Sequence, residues 1–435
     1  MRKGEKLRQS IFWSLDFIKG GKIKKHYDDI KNMIEFPENS MSSKKRSRYL
    51  KKIMTHAANS VPLYNNINPS NIQNFPVINK EIIKESYNKF QSYKYKNKKK
   101  ISVSTSGSTG ASFTVFQDLN KKARNTADIV YFSELAGYKL GYKLYYLRFW
   151  SMFQGNNKVL NWMQNVIPID VFNLSPHSIK NLIDQIKNTS GNKSMIGYAS
   201  IFHKICNYLE SVESDSVDCN LKSVIGISER LDPSTKKSVK KYFNVDMVSR
   251  YSNAENGMIA QQPKCKEYFD INWASYYVEI LSLHNNKQAK PGELGRVVIT
   301  DLFNYYMPII RYDTGDVGIM SDLIHNNKTR KVLEKIEGRK MDMIRNTSGE
   351  ILSTSILLLI NNYKEITQRQ IIQKTKTEYL FKLIVKNKPF KKEDEFINEF
   401  KNYLGQNASI TLKFVDNIPL LPSGKQQSII NEVKP

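Results

Sequence analysis

Seven consecutive residues, Ser104-Thr105-Ser106-Gly107-Ser108-Thr109-Gly110, are all Ser, Thr or Gly. Such a run offers many backbone N–H groups and several hydroxyls with no bulky side chain, which suits a chain of phosphates. Strand-like Ile101–Val103 precedes it and Phe113–Phe116 follows, so it also reads as the turn of a β-hairpin. No Gly-Lys-Ser/Thr follows, which excludes a Walker A loop. A second segment, Arg250-Tyr251-Ser252-Asn253-Ala254-Glu255-Asn256-Gly257, places a carboxylate four residues after an aromatic ring. A ring can stack on a base and a carboxylate can hold Mg²⁺, although a buried Tyr and a surface Glu would read the same. In Tyr312-Asp313-Thr314-Gly315-Asp316 a carboxylate follows a tight turn, where it can accept from both hydroxyls of a ribose or simply end the turn. Glu337-Gly338-Arg339-Lys340-Met341-Asp342-Met343-Ile344 stands where the sequence texture changes, as a hinge would. Finally, Pro419-Leu420-Leu421-Pro422-Ser423-Gly424-Lys425 holds a Lys out on a loop framed by Pro and Gly. A catalytic cation needs that placement, and a solvated surface Lys would share it.

The elements around these segments follow from periodicity. Residues 120–136 and 176–190 read as helices and 143–150 as a strand. Short buried-strand patterns at 194–196 and 223–227 are each followed by a helical pattern, at 201–209 and 233–242. That alternation argues for α/β layers. Residues 274–320 are richer in β-type residues, with strands at 276–280 and 295–300. Beyond about residue 338 the texture reorganises. Strands at 368–373 and 379–385, a helix carrying Phe396, Ile397, Phe400, Tyr403 and Leu404 at helical spacing, and a strand at 409–415 predict a small ββαβ module.

The chain has 435 residues, enough for more than one domain, and 40% apolar residues, enough to exclude wholesale disorder. Its net charge is +26, and residues 1–100 alone hold 23 Lys/Arg against 8 Asp/Glu, an excess of 15. Compositional drift toward Lys, Asn and Ile and a polyanionic partner both account for such a surplus. No helix-turn-helix, zinc-finger or RNP-type motif accompanies it, so no nucleic-acid partner is expected. Cys206, Cys219 and Cys265 stand far apart and read as buried thiols in a reducing, cytoplasmic compartment. The six His show no zinc-ligand spacing. No apolar run approaches the ~18 residues of a membrane span. The first 21 residues, with Ile11, Phe12, Trp13, Leu15, Phe17 and Ile18 interrupted by Asp16, read instead as a helix lying on the protein or on an anionic membrane.

Taken together and in this order, the five motifs resemble those of the adenylate-forming superfamily of acyl-CoA ligases, adenylation domains and luciferases. Gly197-Tyr198-Ala199-Ser200 and Gly226-Ile227-Ser228-Glu229-Arg230-Leu231 most resemble its phenylacetate–coenzyme A ligase branch, which includes CapK-like proteins associated with capsular polysaccharide biosynthesis. The resemblance spans residues 75–430. It implies an α/β fold: a large multi-subdomain N-terminal adenylation domain, and a small α+β (ββαβ) C-terminal lid domain. The expected divisions are 1–100 (basic, mostly helical), 101–338 (nucleotide- and acid-binding core) and 339–435 (mobile lid with the catalytic Lys).

The implied chemistry is AMP-forming adenylation of a small carboxylic acid, then acyl transfer to a thiol, hydroxyl or amine acceptor. ATP and Mg²⁺ are the implied cofactors, with coenzyme A as one candidate acceptor. By resemblance, residues 104–110 hold the phosphates and Glu255 binds the metal. Tyr251, Ser252, Asn253 and Ala254 with Ser228, Glu229 and Arg230 flank the nucleotide. Asp316 takes the ribose hydroxyls, Arg339 lies near them, and Lys425, Thr109 and Glu255 are catalytic. Tyr198, Ala199, Ser200, Gly226 and Ile227 border the acid pocket. Two positions depart from the family: Met341 replaces the usual Asp or Lys of the hinge, and Asp313 stands where Arg is common. A catalytically silent homologue acting as a binding or scaffold protein in the same pathway is the alternative. Retention of Glu255, Asp316 and Lys425 argues against it.

Overall fold

The computed structural model describes residues 1–37, 39–104, 113–150, 158–172, 174–325, 328–340, 343–352, 356–386, 388–419, 421 and 427–433. The chain forms two compact units, Met1–Thr314 with Gly318–Lys335, and Gly315–Val317 with Ile336–Pro435. Thr105 to Gly110, Met341 and Lys425 lie outside the described residues.

The first unit opens on helices α1 (Lys3–Ile18), α2 (Lys22–Glu35), α3 (Ser40–Ala58) and the short α4 (Lys80–Glu85). Strands β1 (Lys100–Ser104) and β2 (Thr114–Asp118) pair antiparallel, with Ser104 opposite Thr114, so the Ser/Thr/Gly run joins two paired strands. Asp118 then caps α5 (Leu119–Leu135), its carboxylate accepting from Lys121 N at 2.9 Å.

A mixed α/β layer follows: β3 (Lys143–Arg148), α6 (Lys158–Gln164), β4 (Val166–Asp170), α7 (Pro176–Asn188), β5 (Lys193–Tyr198), α8 (Ala199–Ser211), β6 (Leu221–Ile227), α9 (Pro233–Phe243), β7 (Met247–Asn253), β8 (Gly257–Gln261) and β9 (Asp270–Ile271). The sheet order is β4-β3-β5-β6-β7-β8-β9, with β4 to β7 parallel and the last two strands antiparallel. Local sequence explains the helices. In α7, Ser175 accepts from Ser178 N at 3.1 Å, Pro176 sits at the first turn, and Ile179, Leu182, Ile183 and Ile186 recur on the buried face. These residues pack with Tyr145, Leu147, Phe202 and Val224 into one core.

A second sheet has the order β10-β11-β12-β13, from β10 (Tyr276–Leu281), β11 (Leu294–Asp301), β12 (Tyr312–His325) and β13 (Lys328–Arg339). The β12–β13 pair was not legible as strands because β13 is rich in Lys, Arg and Glu, with few apolar residues to mark an alternation. Cys206 and Cys219 are buried, and burial pushes the Cys206 thiol up to about 12. Cys265 is exposed, against the expectation of a buried thiol, because it lies outside any strand or helix in a left-handed turn with φ 58°.

The second unit holds α10 (Ile356–Leu359), β14 (Ile366–Gln373), β15 (Glu378–Val385), α11 (Glu393–Leu404), β16 (Ser409–Phe414) and β17 (Ile429–Asn431). Its sheet order is β16-β15-β14-β17. The expected ββαβ module is present, with β17 added in parallel to β14. Phe396, Phe400 and Leu404, one helical turn apart on α11, are fully buried against Phe381 and Leu383. Glu393, Asp394 and Glu395 occupy the first turn of α11, where the helix dipole favours negative charge.

Candidate functional site

The parallel strands of the large sheet end side by side. Gly197 pairs with Gly226, Tyr198 with Ile227, and Ile227 with Arg250. In open α/β sheets ligands bind beyond the carboxyl ends of such strands. Tyr198, Ala199, Ser200, Gly226, Ile227, Ser228, Tyr251, Ser252 and Asn253 all fall at or just past these ends. Tyr198 and Ala199 are themselves buried in the core, with the Tyr198 ring 5.8 Å from that of Phe149. Ser228 takes a left-handed φ of 67°, a conformation disfavoured for a side chain with Cβ. That turn brings the Glu229 carboxylate to the N-terminus of α8, where Oε2 accepts from Ser200 N at 2.8 Å. Glu229 thus ties the β5–α8 and β6 loops together. Ser228 and Arg230 are exposed.

The Tyr251–Glu255 segment is held from two sides. Tyr312 Oη donates to Glu255 Oε1 at 3.0 Å, and Tyr251 Oη donates to Thr314 Oγ1 at 3.3 Å. Two motifs far apart in sequence are therefore fastened together by hydroxyl groups. Thr314 in turn donates to Val297 O at 3.0 Å. Glu255 is buried, and Gln117 Nε2 donates to its backbone carbonyl at 3.3 Å. Behind it, Asn256 N donates to Asn253 Oδ1 at 2.8 Å, and Asn256 O accepts from Tyr276 Oη at 2.6 Å. Gly257 has φ +113°, and a Cβ there would lie 2.8 Å from Asn125 Oδ1 and 3.0 Å from Tyr276 Oη, so no larger residue fits.

Beneath this turn lies a buried ionic cluster that the motifs did not indicate. Lys121 Nζ sits 2.6 Å from Asp301 Oδ2 and donates to Tyr276 Oη at 3.1 Å. Arg124 donates to Asp29 Oδ2, Ser275 Oγ and Ala274 O, at 2.6, 2.7 and 2.6 Å. Asp128 Oδ1 accepts from Ser275 Oγ and Asn272 Nδ2. Burial pushes the Asp128 and Asp301 carboxyls up, although Arg124 and Lys121 oppose it. Burial also works against ionised Asp29, but Arg124 and Lys45 outweigh it and hold that carboxyl down. The signal was present in the sequence: Lys121, Arg124, Asp128 and Tyr131 recur on one helical face, and three of the four carry charge.

Just before the third motif, Arg311 has φ 52° and forks onto Glu279 with two hydrogen bonds of 3.1 Å. Arg311 Nη1 also donates to Phe75 O at 3.2 Å. This buried pair fixes the backbone that delivers Tyr312 to Glu255. In the second unit, Asp316 and Arg339 form an ion pair, Oδ1 to Nε 3.2 Å. Gly338 has φ +97°, which accounts for glycine before Arg339.

Mg²⁺ takes one or two carboxylates and completes its shell with phosphate oxygens and water. Among the described residues no three His, Cys, Asp or Glu side chains converge on a metal position. Glu255 brings one buried carboxylate to this turn, a donor of the type that an ion carried on a phosphate chain takes. A separate basic cleft of about 720 Å³, over Arg48, Lys51, Lys52, Lys94, Tyr95 and Tyr305, shares no residue with these motifs.

The fold is one shared with adenylate-forming ligases of known structure. The chain superposes on 2-hydroxyisobutyryl-CoA ligase in its postadenylation state with a TM-score of 0.70 and 15% identity, covering 91% of this chain and 90% of that one. It matches ATP-bound MatB from Rhodopseudomonas palustris with a TM-score of 0.55 and 14% identity, over 75% of this chain and 66% of that one. By sequence the chain is a homologue of Protein CapK from Staphylococcus aureus, 24% identical over 453 aligned positions, covering 96% of this chain and 95% of that protein. Residues 343–432 match the CapK C-terminal domain. The phenylacetate-coenzyme A ligase of Escherichia coli K12 is 21% identical over 69% of this chain and 71% of its own length.

Proposed function

We propose that the protein activates a small carboxylic acid as its adenylate and passes the acyl group to a thiol, hydroxyl or amine acceptor. In the first half-reaction a carboxylate oxygen attacks the α-phosphorus of ATP. The bond from that phosphorus to the bridging oxygen breaks, and pyrophosphate leaves. Negative charge gathers on phosphoryl oxygens, so fixed donors and cations aimed there lower the barrier.

The observation that carries this reading is the junction of Tyr251–Thr314 and Tyr312–Glu255. It holds a buried carboxylate and an aromatic ring together at the carboxyl ends of a parallel sheet. In this reading Glu255 holds Mg²⁺, which neutralises phosphate charge when bound. Ser104 to Gly110 hold the phosphates. Ser228, Glu229, Arg230 and Tyr251 to Ala254 flank the nucleotide, while Asp316 and Arg339 serve the ribose. Lys425 and Thr109 stabilise the transferring group, and Tyr198, Ala199, Ser200, Gly226 and Ile227 border the acid. Coenzyme A is a candidate acceptor because two relatives are named coenzyme A ligases. A role in surface polysaccharide biosynthesis rests on the likeness to the CapK-like branch.

The test is acid-dependent ATP–pyrophosphate exchange, with a panel of carboxylic acids scored for AMP release. Glu255→Gln and Lys425→Ala should each lower exchange roughly 10²–10³-fold while leaving the melting profile intact. Exchange at the unmodified rate in both variants would overturn the assignment. ATP binding with no acid yielding AMP would favour the silent scaffold instead.

A further inference from the structure

We propose that the outward face of α1 docks the protein on an anionic lipid surface. Leu7, Ile11, Leu15 and Ile18 recur along one side of the helix, and all are exposed, Leu7 at 61% and Ile18 at 77%. Phe17, at the same end as Ile18, is 81% exposed. A soluble surface rarely leaves five large apolar side chains together on sixteen residues of helix.

The helix is firmly seated by its other side. Its only acidic residues, Glu5 and Asp16, are both buried. Glu5 accepts from Asn192 N at 2.7 Å, from Asn192 Nδ2 at 2.8 Å and from Arg2 N at 2.7 Å. Gly141 makes the close approach possible, since a Cβ there would lie 2.1 Å from Glu5 O. Asp16, which interrupts the apolar run in the sequence, does not break the outer face. It instead accepts from Ile23 N and Lys24 N at 3.0 and 2.8 Å, and so caps α2. Trp13 packs edge-on against Tyr27 of α2 at 5.5 Å. On α2 itself, Asp28 is paired with Lys24, and Asp29 is buried.

Every acid on α1 therefore points into the protein. The face left outside carries these apolar side chains with Ser10 and Ser14 beside them, and the charged residues of α1 left outside, with Lys22 at the start of α2, are all bases: Lys3, Lys6, Arg8, Lys19 and Lys22. That pairing of exposed large apolar residues with cations is what an interfacial helix needs to enter the headgroup layer of anionic lipid. Charge selects this occupant over a second copy of the chain. A two-fold contact would press the same basic border against itself, and like charges oppose association.

The experiment uses the full chain in vesicle flotation. Vesicles of phosphatidylglycerol and phosphatidylcholine are compared with phosphatidylcholine alone. The expected result is flotation with the anionic vesicles only, weakened by salt. Leu7→Ser/Ile11→Ser/Ile18→Ser should reduce partition more than tenfold. Lys3→Gln/Lys6→Gln/Lys19→Gln should reduce it several-fold and remove the salt sensitivity. These positions are exposed, so the melting profile and ATP–pyrophosphate exchange should not move, which separates this inference from the proposed activity. Equal flotation of both variants, or equal binding to neutral vesicles, would overturn it. So would a concentration-dependent dimer abolished by the apolar substitutions, with no flotation at all.

Discussion

Glu255 owes its position to a hydroxyl fifty-seven residues away in the chain. The Tyr312 Oη–Glu255 hydrogen bond holds one carboxylate oxygen and leaves the group anchored in a buried setting. A hydrogen bond to a charged group is worth about 1.5–3 kcal/mol. Tyr312→Phe should therefore lower acid-dependent exchange about tenfold or more while leaving the fold intact, with the loss greatest at low Mg·ATP. An unchanged Mg·ATP dependence in this variant would show that the contact does not orient Glu255. That Tyr251 and Glu255 stand in one motif was legible because they lie within five residues. The roles of Tyr312 and Thr314 were not, because their partners are set by how β7 and β12 are brought together.

At the scale of elements, α5 carries the charges that hold the site's floor. Lys121 and Asp301 are both fully buried, and breaking such a pair by removing one partner costs about 3–5 kcal/mol. Lys121→Met should lower the melting temperature and loosen the turn behind Glu255, read as raised proteolysis near Asn256. The α2–α5 contact also predicts a pH dependence. His26 Nε2 donates to Asn120 Oδ1 at 3.0 Å, while Nδ1 faces Arg124 at 3.4 Å and accepts from it. Burial, aided by Arg124, lowers its pKa from the ordinary 6.5 to about 4. Between those values the unfolded chain binds a proton that the folded chain does not. Stability is thus fully present above pH 6.5 and falls as pH drops toward 4. His26→Gln should flatten urea-unfolding free energy across that window. A slope equal to the unmodified protein's would show that other groups control it. The helix was legible over 120–136 and so was its charged face; that this face turns inward was not, because burial of Lys121 and Arg124 depends on partners from β10 and α2.

At the scale of the molecule, each unit has its own core, and each should answer separately to damage. Phe400 is fully buried in the second unit, stacked on Phe396 at 4.5 Å. Phe400→Ala should cost that unit about 3–5 kcal/mol and lower one calorimetric transition while the other stays in place. A uniform shift of the whole profile would show that the two units unfold as one. The charge of +26 also changes meaning here. It suggested a polyanion partner or mere drift. The fold gathers part of the N-terminal surplus over one cleft and sets another part around the apolar face of α1.

By itself the sequence determined the residue chemistry, the order of the motifs, the α/β alternation and the C-terminal ββαβ module. All of these are written in neighbouring residues, whose spacing sets helix or strand period. Only the tertiary structure decided which hydroxyls grip Glu255, that Lys121 and Arg124 lie inside, and that Glu5 and Asp16 turn inward. The last of these leaves the outer face of α1 apolar and basic. Those outcomes depend on contacts across 57, 155 and 187 positions, where no local period constrains the partner and burial alone selects it.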